Sequence, residues 1–209
     1  MKVYDAAGIR NVALVGHGGS GKTQLASAML FDAGMINRFG RVDDGTTVTD
    51  FDEEEIARKH TLASSLAHAE WNKTKINLID TPGFANFLSD ARAALRVADA
   101  AVVVVDAVHG VEVQTEKVWN EAEERGLARV VVLNRVDRDR ASLDRALQSL
   151  REVCSRVPVA GKPHTPAHDA VVVSLKKLVQ NRLARPIGAL QVLGDELVIG
   201  QRYGTHDVR

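Results

Sequence analysis

Uninterrupted runs of aliphatic residues, many of them β-branched, recur along the first three quarters of the chain. Runs of this kind are typical of buried strands that are covered on both faces, as in a parallel sheet. They lie at residues 11–16, 100–107 and 129–134.

Between these runs, apolar residues recur at the spacing of an amphipathic helix. Glycines at positions 34 and 126 stop two of these patterns, as helix C-caps commonly do. The helical segments are residues 22–34, 84–98, 112–126 and 143–153. Strands that alternate with helices predict an α/β fold with a doubly wound, mostly parallel sheet.

One pair of runs has a different connection. The segments "LAHAEW" and "KINLID" flank Asn72-Lys73-Thr74, which predicts a hairpin and therefore one antiparallel strand. Trp71 in this hairpin and Trp119 in a helical segment are both predicted to lie in the core.

Periodicity is lost between residues 35 and 61, where seven acidic residues fall between Asp43 and Glu55. A solvated linker is one interpretation. However, a segment of this length without regular structure is uncommon inside a compact domain and is usually functional.

Composition narrows the class of protein without naming it. The 209 residues are 45% hydrophobic and 26% charged, with 27 basic and 27 acidic side chains, so no net field favours DNA or an anionic membrane. Cys154 is the only cysteine, which fits a reducing compartment. We see no signal peptide, and no apolar run is long enough to span a bilayer. These features predict a soluble, cytoplasmic protein.

The first chemical motif is Gly16-His17-Gly18-Gly19-Ser20-Gly21-Lys22-Thr23, placed between a strand and a helix. Glycines allow backbone N–H groups to surround phosphate oxygens, and Lys22 brings a positive charge to the outer phosphates. The Thr23 hydroxyl can ligate Mg²⁺. A glycine-rich turn alone would not account for the Lys-Thr pair, so we predict a phosphate-binding loop.

The second motif, Asp80-Thr81-Pro82-Gly83, follows a strand that should run parallel to the first. Asp80 can hold Mg²⁺ directly or through water, and the Gly83 N–H can approach a terminal phosphate closely. Such a sequence is often an ordinary turn. After a phosphate loop, it predicts a nucleotide contact.

The third motif, Asn134-Arg135-Val136-Asp137, follows another strand. A carboxylate can accept two hydrogen bonds from guanine, whereas adenine offers neither donor. A charged helix cap is the alternative interpretation. In company with the other two motifs, guanine recognition is favoured. A fourth candidate is Thr61, whose hydroxyl could complete the Mg²⁺ shell only while a γ-phosphate is present, making residues 35–61 a switch.

Together, "NVALVGHGGSGKT", "INLIDTPGFANF", "VVVVDAVHGVEVQTEKVW" and "VVLNRVDRDRA" resemble the G domain of translational GTPases, above all elongation factor G and its elongation factor G-like paralogues. The resemblance implies a P-loop GTPase domain that binds GTP or GDP with Mg²⁺ and hydrolyses GTP on the ribosome during elongation. It assigns nucleotide contacts to residues 16–23, 80–84 and 134–137. It also assigns metal-binding roles to Thr23, Thr61 and Asp80.

The sequence departs from that family at several positions. Gly19 stands where aspartate is usual, Phe84 where a histidine orients the attacking water, and Arg135 where lysine is usual. The fifth guanine-contacting motif, a Ser-Ala turn, lacks its expected form and is only imitated by Ser174-Leu175. Because Phe84 can neither donate nor accept a hydrogen bond, we expect slow hydrolysis. Its spacing favours a packing role on a helical face first, and a hydrophobic gate second.

The resemblance covers about residues 8–157, which predicts a G domain at residues 1–157 and a proline-containing linker with a divergent tail at 158–209. Family members continue through further domains that reach the ribosome, so we expect this chain not to engage ribosomes as a full factor. The leading hypothesis is a GTP-hydrolysing domain of a translation factor. The competing hypothesis is a GTP-binding switch or truncated remnant with little hydrolysis and no translocation activity.

Overall fold

The structure, a computed structural model, describes residues 3–155 and 171–174. Its centre is a six-stranded sheet in the order β2-β3-β1-β4-β5-β6. The β2–β3 pair is antiparallel and every other pair is parallel, which confirms the predicted sheet. The strands are β1 (Ile9–Val15), β2 (Ser65–Trp71), β3 (Thr74–Asp80), β4 (Ala100–Asp106), β5 (Ala128–Asn134) and β6 (Val171–Ser174).

Five α-helices accompany the sheet in the described part of the chain. They are α1 (Lys22–Asp32), α2 (Glu53–Arg58), α3 (Leu88–Val97), α4 (Val113–Glu124) and α5 (Leu143–Ser155). Two short 3₁₀ turns, Ala6–Gly8 and Ala85–Phe87, precede β1 and α3. In the described part of the chain, residues 3–155 and 171–174, no helix is long and apolar enough to cross a bilayer.

Alternation along the central strands divides the core into two layers. Ala13 and Val15 of β1 pack with α3, α4 and α5 on one face of the sheet. Leu14, which lies between them, packs on the other face with Leu25 and Ala26 of α1. Because both faces are covered, residues 12–15 of β1 and 100–105 of β4 are apolar at every position rather than at every second one.

Helix α2 lies inside the segment that the sequence pattern leaves without structure, so that expectation was wrong. The Asp52 carboxylate caps it by accepting from Glu54 N at 2.8 Å, and Lys59 ends it in the left-handed region with φ of 56°. Glu55 is buried, and its Oε1 accepts from Leu62 N at 2.8 Å. The helix was missed because its buried face is made by a hydrogen-bonded acid rather than by apolar residues.

Phe84 lies outside α3, contrary to the helical face predicted for residues 84–98. Its backbone is extended, with φ of −85° and ψ of 150°, and the 3₁₀ turn intervenes before α3 begins at Leu88. The side chain is 37% exposed and is absent from the core that Leu88 joins. The packing role expected for Phe84 on the helix is therefore wrong.

The predicted hairpin is confirmed, with a tighter turn than expected. Thr74 already belongs to β3, so only Asn72 and Lys73 connect the strands, with φ values of 44° and 64°. Two central residues with positive φ are typical of a type I′ turn, whose twist matches that of the flanking strands. Trp119 is buried as predicted, whereas Trp71 on β2 is 40% exposed and that prediction was wrong.

Strand β6 extends the sheet beyond residue 157, pairing Val130–Leu133 of β5 with Val171–Ser174 in parallel register. The rest of the proposed linker and tail lies outside the described residues, as does Leu175 of the imitated fifth motif. The domain boundary at residue 157 and the role of the tail stay predictions.

The two-layer core predicts that two leucines of the hairpin contribute very differently to the free energy of unfolding. Leu78 on β3 is fully buried against Leu30 and Ala69, whereas Leu66 on β2 is 73% exposed. We expect Leu78→Ala to lower the free energy of unfolding by about 2–5 kcal/mol, and Leu66→Ala to change it by less than about 0.5 kcal/mol. Urea denaturation followed by circular dichroism measures both. Equal losses would contradict this assignment of the core.

Candidate nucleotide-binding site

The loops that follow β1, β3 and β5 meet at one edge of the sheet, because parallel strands place their carboxyl ends together. They enclose a cleft of about 540 Å³. Lys22 and Thr23, Gly83 and Phe84, and Asn134 and Asp137 line it together with Thr61, so the structure brings all four sequence-predicted segments to one place.

The loop between β1 and α1 is shaped by glycines that no other residue could replace. Gly16 has φ of 140°, and a Cβ built there would overlap the Val104 carbonyl oxygen. Gly21 has φ of 98°, and a Cβ there would overlap the Asn134 amide. The Lys22 ammonium donates to the carbonyls of Gly16 at 3.2 Å and His17 at 3.0 Å. It therefore lies along the inner side of the loop.

Gly83 packs directly against this loop. A Cβ built at Gly83 would overlap Lys22 Nζ and lie 2.6 Å from the backbone nitrogen of Gly18. The two phosphate-contacting motifs therefore touch through backbone and the lysine ammonium, with no space for a side chain. Lack of space therefore explains why the motif requires glycine at this position. The backbone conformation does not, because Gly83 does not have a positive φ.

Asp80 is fully buried beneath the cleft. Its Oδ2 accepts from the Thr49 hydroxyl at 2.9 Å, whereas Oδ1 has no hydrogen-bond partner among the described residues. Burial raises the pKa of Asp80 to about 6, although Thr23, Lys22 and Thr49 favour its ionised form. Burial likewise lowers the pKa of Lys22 to about 8, against the effect of Asp80 and Asp50. Both charges are desolvated, which is costly unless a ligand compensates them.

The two predicted hydroxyl ligands face one another. Thr23 Oγ1 lies 2.9 Å from Thr61 Oγ1, and the Thr61 hydroxyl donates to Asp50 Oδ1 at 2.9 Å. Burial raises the pKa of Asp50 above its usual range. The described residues hold no group of three or more His, Cys, Asp or Glu side chains placed to bind a metal.

These donors fit Mg²⁺ in a site that is completed by phosphate and water. Mg²⁺ prefers hard oxygen ligands, keeps several waters and uses one or two protein groups beside substrate phosphates. Two converging hydroxyls and an orphaned buried carboxylate oxygen at Asp80 supply such a set. Thr23, Thr61 and Asp80 are therefore the residues that would hold the ion.

The loop after β5 is tied to the phosphate loop. Asn134 Nδ2 donates to the Ser20 carbonyl at 2.9 Å, and Arg135 adopts φ of 58°. Arg135 Nη1 donates to the buried Asp106 carboxylate at 2.9 Å. Although burial opposes ionisation of Asp106, the Val108 N–H and Arg135 hold its pKa below the usual range. The exposed Asp137 is thus presented from an anchored loop.

Some residues of the predicted motifs do not face the cleft. The Thr81 hydroxyl donates to the Leu14 carbonyl at 2.7 Å, and Val136 packs against the core. Pro82 is buried, and the His17 ring pairs with Glu112 at 3.3 Å. These side chains support the loops that carry the cleft-lining groups, and their assignment as nucleotide contacts stays a prediction.

Phe84 lies over the phosphate loop. A Cβ built at Gly18 would be 2.9 Å from two carbons of the Phe84 ring, so the ring would have to move to admit a side chain there. On its other side the ring meets His60, with centroids 4.7 Å apart and planes inclined by 56°. Of the two roles expected for Phe84, this position supports the hydrophobic gate.

Sequence reasoning missed three side chains of this site: Thr49, Asp50 and His60. All three come from residues 35–61, where only Thr61 had a motif to indicate it. Asp50 was counted as one acid among seven, and no local signal distinguishes it from its neighbours. His60 could have been suspected because it adjoins Thr61.

Comparison with known proteins agrees with the fold and the cleft. The family described as "Elongation factor Tu GTP binding domain" matches residues 7–192. The architecture and the three loops define a P-loop nucleotide-binding domain of the α/β class. With most of its length matched, the chain belongs to the family of elongation factor Tu GTP-binding domains.

Individual relatives confirm the resemblance to elongation factor G and its paralogues. The chain is 41% identical over 159 residues to Elongation factor G 2 of Streptomyces coelicolor, covering 76% of this chain and 23% of that protein. It is 42% identical over 145 residues to the Elongation factor G-like protein of Mycobacterium tuberculosis, covering 69% and 20%. It is 40% identical over 166 residues to mitochondrial Ribosome-releasing factor 2 of Debaryomyces hansenii, covering 78% and 19%.

A solved structure is also similar. The crystal structure of a Thermus thermophilus protein superposes with a TM-score of 0.68 at 33% identity, covering 87% of this chain and 30% of that one. The three curated relatives described above are much longer, and the chain spans about a fifth of their length.

Burial of Asp80 predicts how the stability of the metal-free domain depends on pH. Because folding raises its pKa from 3.8 to about 6, the folded state binds the proton more tightly. This group's contribution is fully present below pH 3.8 and is lost as pH rises through about 6. It amounts to about 3 kcal/mol.

Asp80→Asn should flatten this part of the profile, as measured by urea denaturation in EDTA without nucleotide between pH 4 and 7. The exposed Asp139→Asn is the control and should keep the slope of the parent protein. Identical slopes in the parent and Asp80→Asn would show that Asp80 is not desolvated as described.

Proposed function

We propose that this chain is the GTP-binding and GTP-hydrolysing G domain of an elongation factor G-like translation factor. The observation that carries the proposal is the convergence of Lys22, Gly83, Thr61 and Asp137 on one cleft at the carboxyl edge of the sheet. Membership of a GTP-binding family and similarity to elongation factor G proteins support it.

The phosphate-binding half of the cleft begins at the N-terminus of α1. Backbone N–H groups at a helix N-terminus favour anions, and the Gly16–Gly21 turn brings further N–H groups to the same point. Lys22 supplies a full positive charge, and a bound triphosphate would restore its ordinary protonation by compensating its burial. When bound, Mg²⁺ would neutralise charge on the outer phosphates, with Thr23, Thr61 and Asp80 as its protein ligands.

The base-binding half uses Asp137. Its carboxylate accepts two hydrogen bonds from the N1–H and amino group of guanine, which adenine cannot donate. The Asn134–Ser20 bond and the Arg135–Asp106 ion pair hold the loop that presents it. Guanine selectivity therefore depends on anchoring as well as on the carboxylate itself.

Hydrolysis is the step in which this chain departs from the family pattern. Lys22 and the N–H groups of the phosphate loop would stabilise charge on the γ-phosphate, and Thr23, Thr61 and Asp80 would hold the Mg²⁺ that adds to this stabilisation. Phe84 cannot orient the attacking water, so we propose slow intrinsic turnover, with the Phe84 ring acting as a gate over the phosphate loop.

The partner that we propose is the ribosome, because two of the relatives are elongation factor G proteins and one is a ribosome-releasing factor. The predicted cytoplasmic location and the ordering of residues 35–61 by GTP with Mg²⁺ belong to the same proposal. Thr61 supports that switch, since it is the group of this segment that touches Thr23.

Base selectivity tests the binding half of the proposal. GTP should bind about 30- to 1,000-fold more tightly than ATP, because adenine strands the Asp137 carboxylate at a cost of about 2–4 kcal/mol. Asp137→Asn should remove most of this preference, whereas Asp139→Asn, two residues further along and outside the cleft, should retain it. Competition binding with a fluorescent guanine nucleotide measures the ratio. Equal affinities of the parent for GTP and ATP would refute guanine recognition.

Introducing a histidine at position 84 tests the proposed GTP hydrolysis. Water positioning and proton transfer are worth roughly 10²–10⁴-fold in rate. We therefore expect Phe84→His to raise the single-turnover rate of GTP hydrolysis within this range, with little change in GTP affinity. Phe87→His, which places the same group in the neighbouring 3₁₀ turn outside the cleft, should have no effect. Rapid hydrolysis by the parent would mean that Phe84 does not limit turnover.

A further inference from the structure

His60 is a side chain of the cleft whose chemistry no motif assigns. It lines the cleft, adjoins Thr61 in sequence and meets the ring of Phe84. We propose that His60 holds the attacking water for the turnover that this chain retains, a role that Phe84 cannot fill. This inference rests on the proposed GTP hydrolysis.

Two short connections fix where His60 lies relative to the phosphates. Thr61, the next residue, is hydrogen-bonded to Thr23 of the phosphate loop at 2.9 Å. Phe84 follows Gly83, whose backbone lies against Lys22 and Gly18. The His60–Phe84 ring pair therefore bridges the two segments that converge on the Lys22–Thr23 corner. A terminal phosphate bound by Lys22 would lie beside this pair.

The hydrogen bond within His60's own segment determines which ring nitrogen is available. His60 Nδ1 lies 2.8 Å from the Lys59 carbonyl oxygen. A carbonyl oxygen can only accept, so Nδ1 must carry a proton. In the neutral imidazole, Nε2 is then unprotonated and has a lone pair that can accept a hydrogen bond from water.

Two other side chains of the cleft, Gln24 and Asp50, already accept hydrogen bonds within the protein. The Gln24 amide donates to the Gly40 carbonyl at 2.8 Å and accepts from Val42 N at 3.3 Å. Asp50 accepts from the Thr61 hydroxyl at 2.9 Å. Asp137 lies on the base-recognition loop after β5. His60 Nε2 takes part in none of these bonds, so in the Nδ1-protonated tautomer it can accept a hydrogen bond from water.

Hydrolysis of GTP in this site consumes one water and no other reactant. The oxygen of water forms a bond to the γ-phosphorus, and the bond from that phosphorus to the β–γ bridging oxygen breaks, releasing GDP. His60 Nε2 accepts a hydrogen bond from the water and thereby orients its lone pair toward phosphorus. The water's protons leave with phosphate and solvent, so His60 ends the cycle neutral.

Single-turnover hydrolysis of GTP by His60→Phe tests the inference, because phenylalanine keeps a ring against Phe84 but lacks the acceptor. We expect the rate to fall by roughly 10- to 100-fold, at or below the lower end of the range of about 10²–10⁴-fold for general acid–base catalysis, because His60 orients the water without taking its proton; GTP affinity should change by less than about twofold. His68→Phe, on the exposed face of β2, is the matched control and should keep the parent rate.

Two rescue measurements separate chemistry from packing. Free imidazole should restore part of the rate to His60→Ala, and His60→Gln, whose amide oxygen can accept a hydrogen bond from water, should keep more of the rate than His60→Phe. Rescue in either case supports the water-holding role. Loss of both rate and GTP affinity without rescue would assign His60 to packing and overturn the inference.

The outcomes also distinguish this inference from the proposed function. A parent protein that hydrolyses GTP while His60→Phe keeps the same rate overturns the inference alone. A parent that binds GTP without hydrolysing it overturns the inference and the catalytic half of the proposed function. A parent that binds no GTP overturns the proposed function as a whole.

Discussion

The contact of Gly83 with the phosphate loop is the constraint on which the cleft depends. It joins the loop after β1 to the loop after β3 without an intervening side chain, with Lys22 Nζ and Gly18 N at the contact. Once these segments touch, Asp80 lies buried below them and Phe84 is directed over Gly18. The second tie, from Asn134 to Ser20, fixes the loop after β5 to the same glycine-rich turn. The cleft is therefore a joint product of three loops rather than a property of any one motif.

This arrangement has an electrostatic cost in the absence of ligand. Lys22 and Asp80 are both withdrawn from water. Burial lowers the pKa of Lys22 and raises the pKa of Asp80, so in each case it favours the neutral form. A triphosphate with a divalent cation would supply the opposite charges that both groups need. Binding of such a ligand would offset the cost of desolvating these two charges. The residues that lower the stability of the free domain would therefore be the same ones that raise its affinity for the ligand.

Sequence pattern predicted the parts of the molecule whose structure is set locally. The central strands were predictable because both of their faces are apolar, and the phosphate loop because its glycines and Lys22 are contiguous. Helix α2 was missed, since its inner face is the hydrogen-bonded Glu55 rather than an apolar stripe. Phe84 was wrongly placed on a helix because its spacing matches a helical period, whereas its backbone is extended.

The remaining site residues depend on contacts between distant segments. Thr49 reaches Asp80 across 31 residues of sequence, and Asn134 reaches Ser20 across 114. Neither separation is marked by any periodicity. The exposure of Trp71 has another cause: this residue shares the alternation of the buried Ser65 and Ala69, but it is the last residue of the edge strand β2.

The central claim is that Thr23, Thr61 and Asp80 form one metal-dependent site that senses the γ-phosphate. The most direct test is the affinity of the purified chain for GTP and for GDP, each with Mg²⁺ and with EDTA, in the parent and in Thr61→Ala. We expect removal of Mg²⁺ to weaken GTP binding more than GDP binding, and Thr61→Ala to abolish the difference. Equal metal dependence for the two nucleotides in the parent would contradict the central claim.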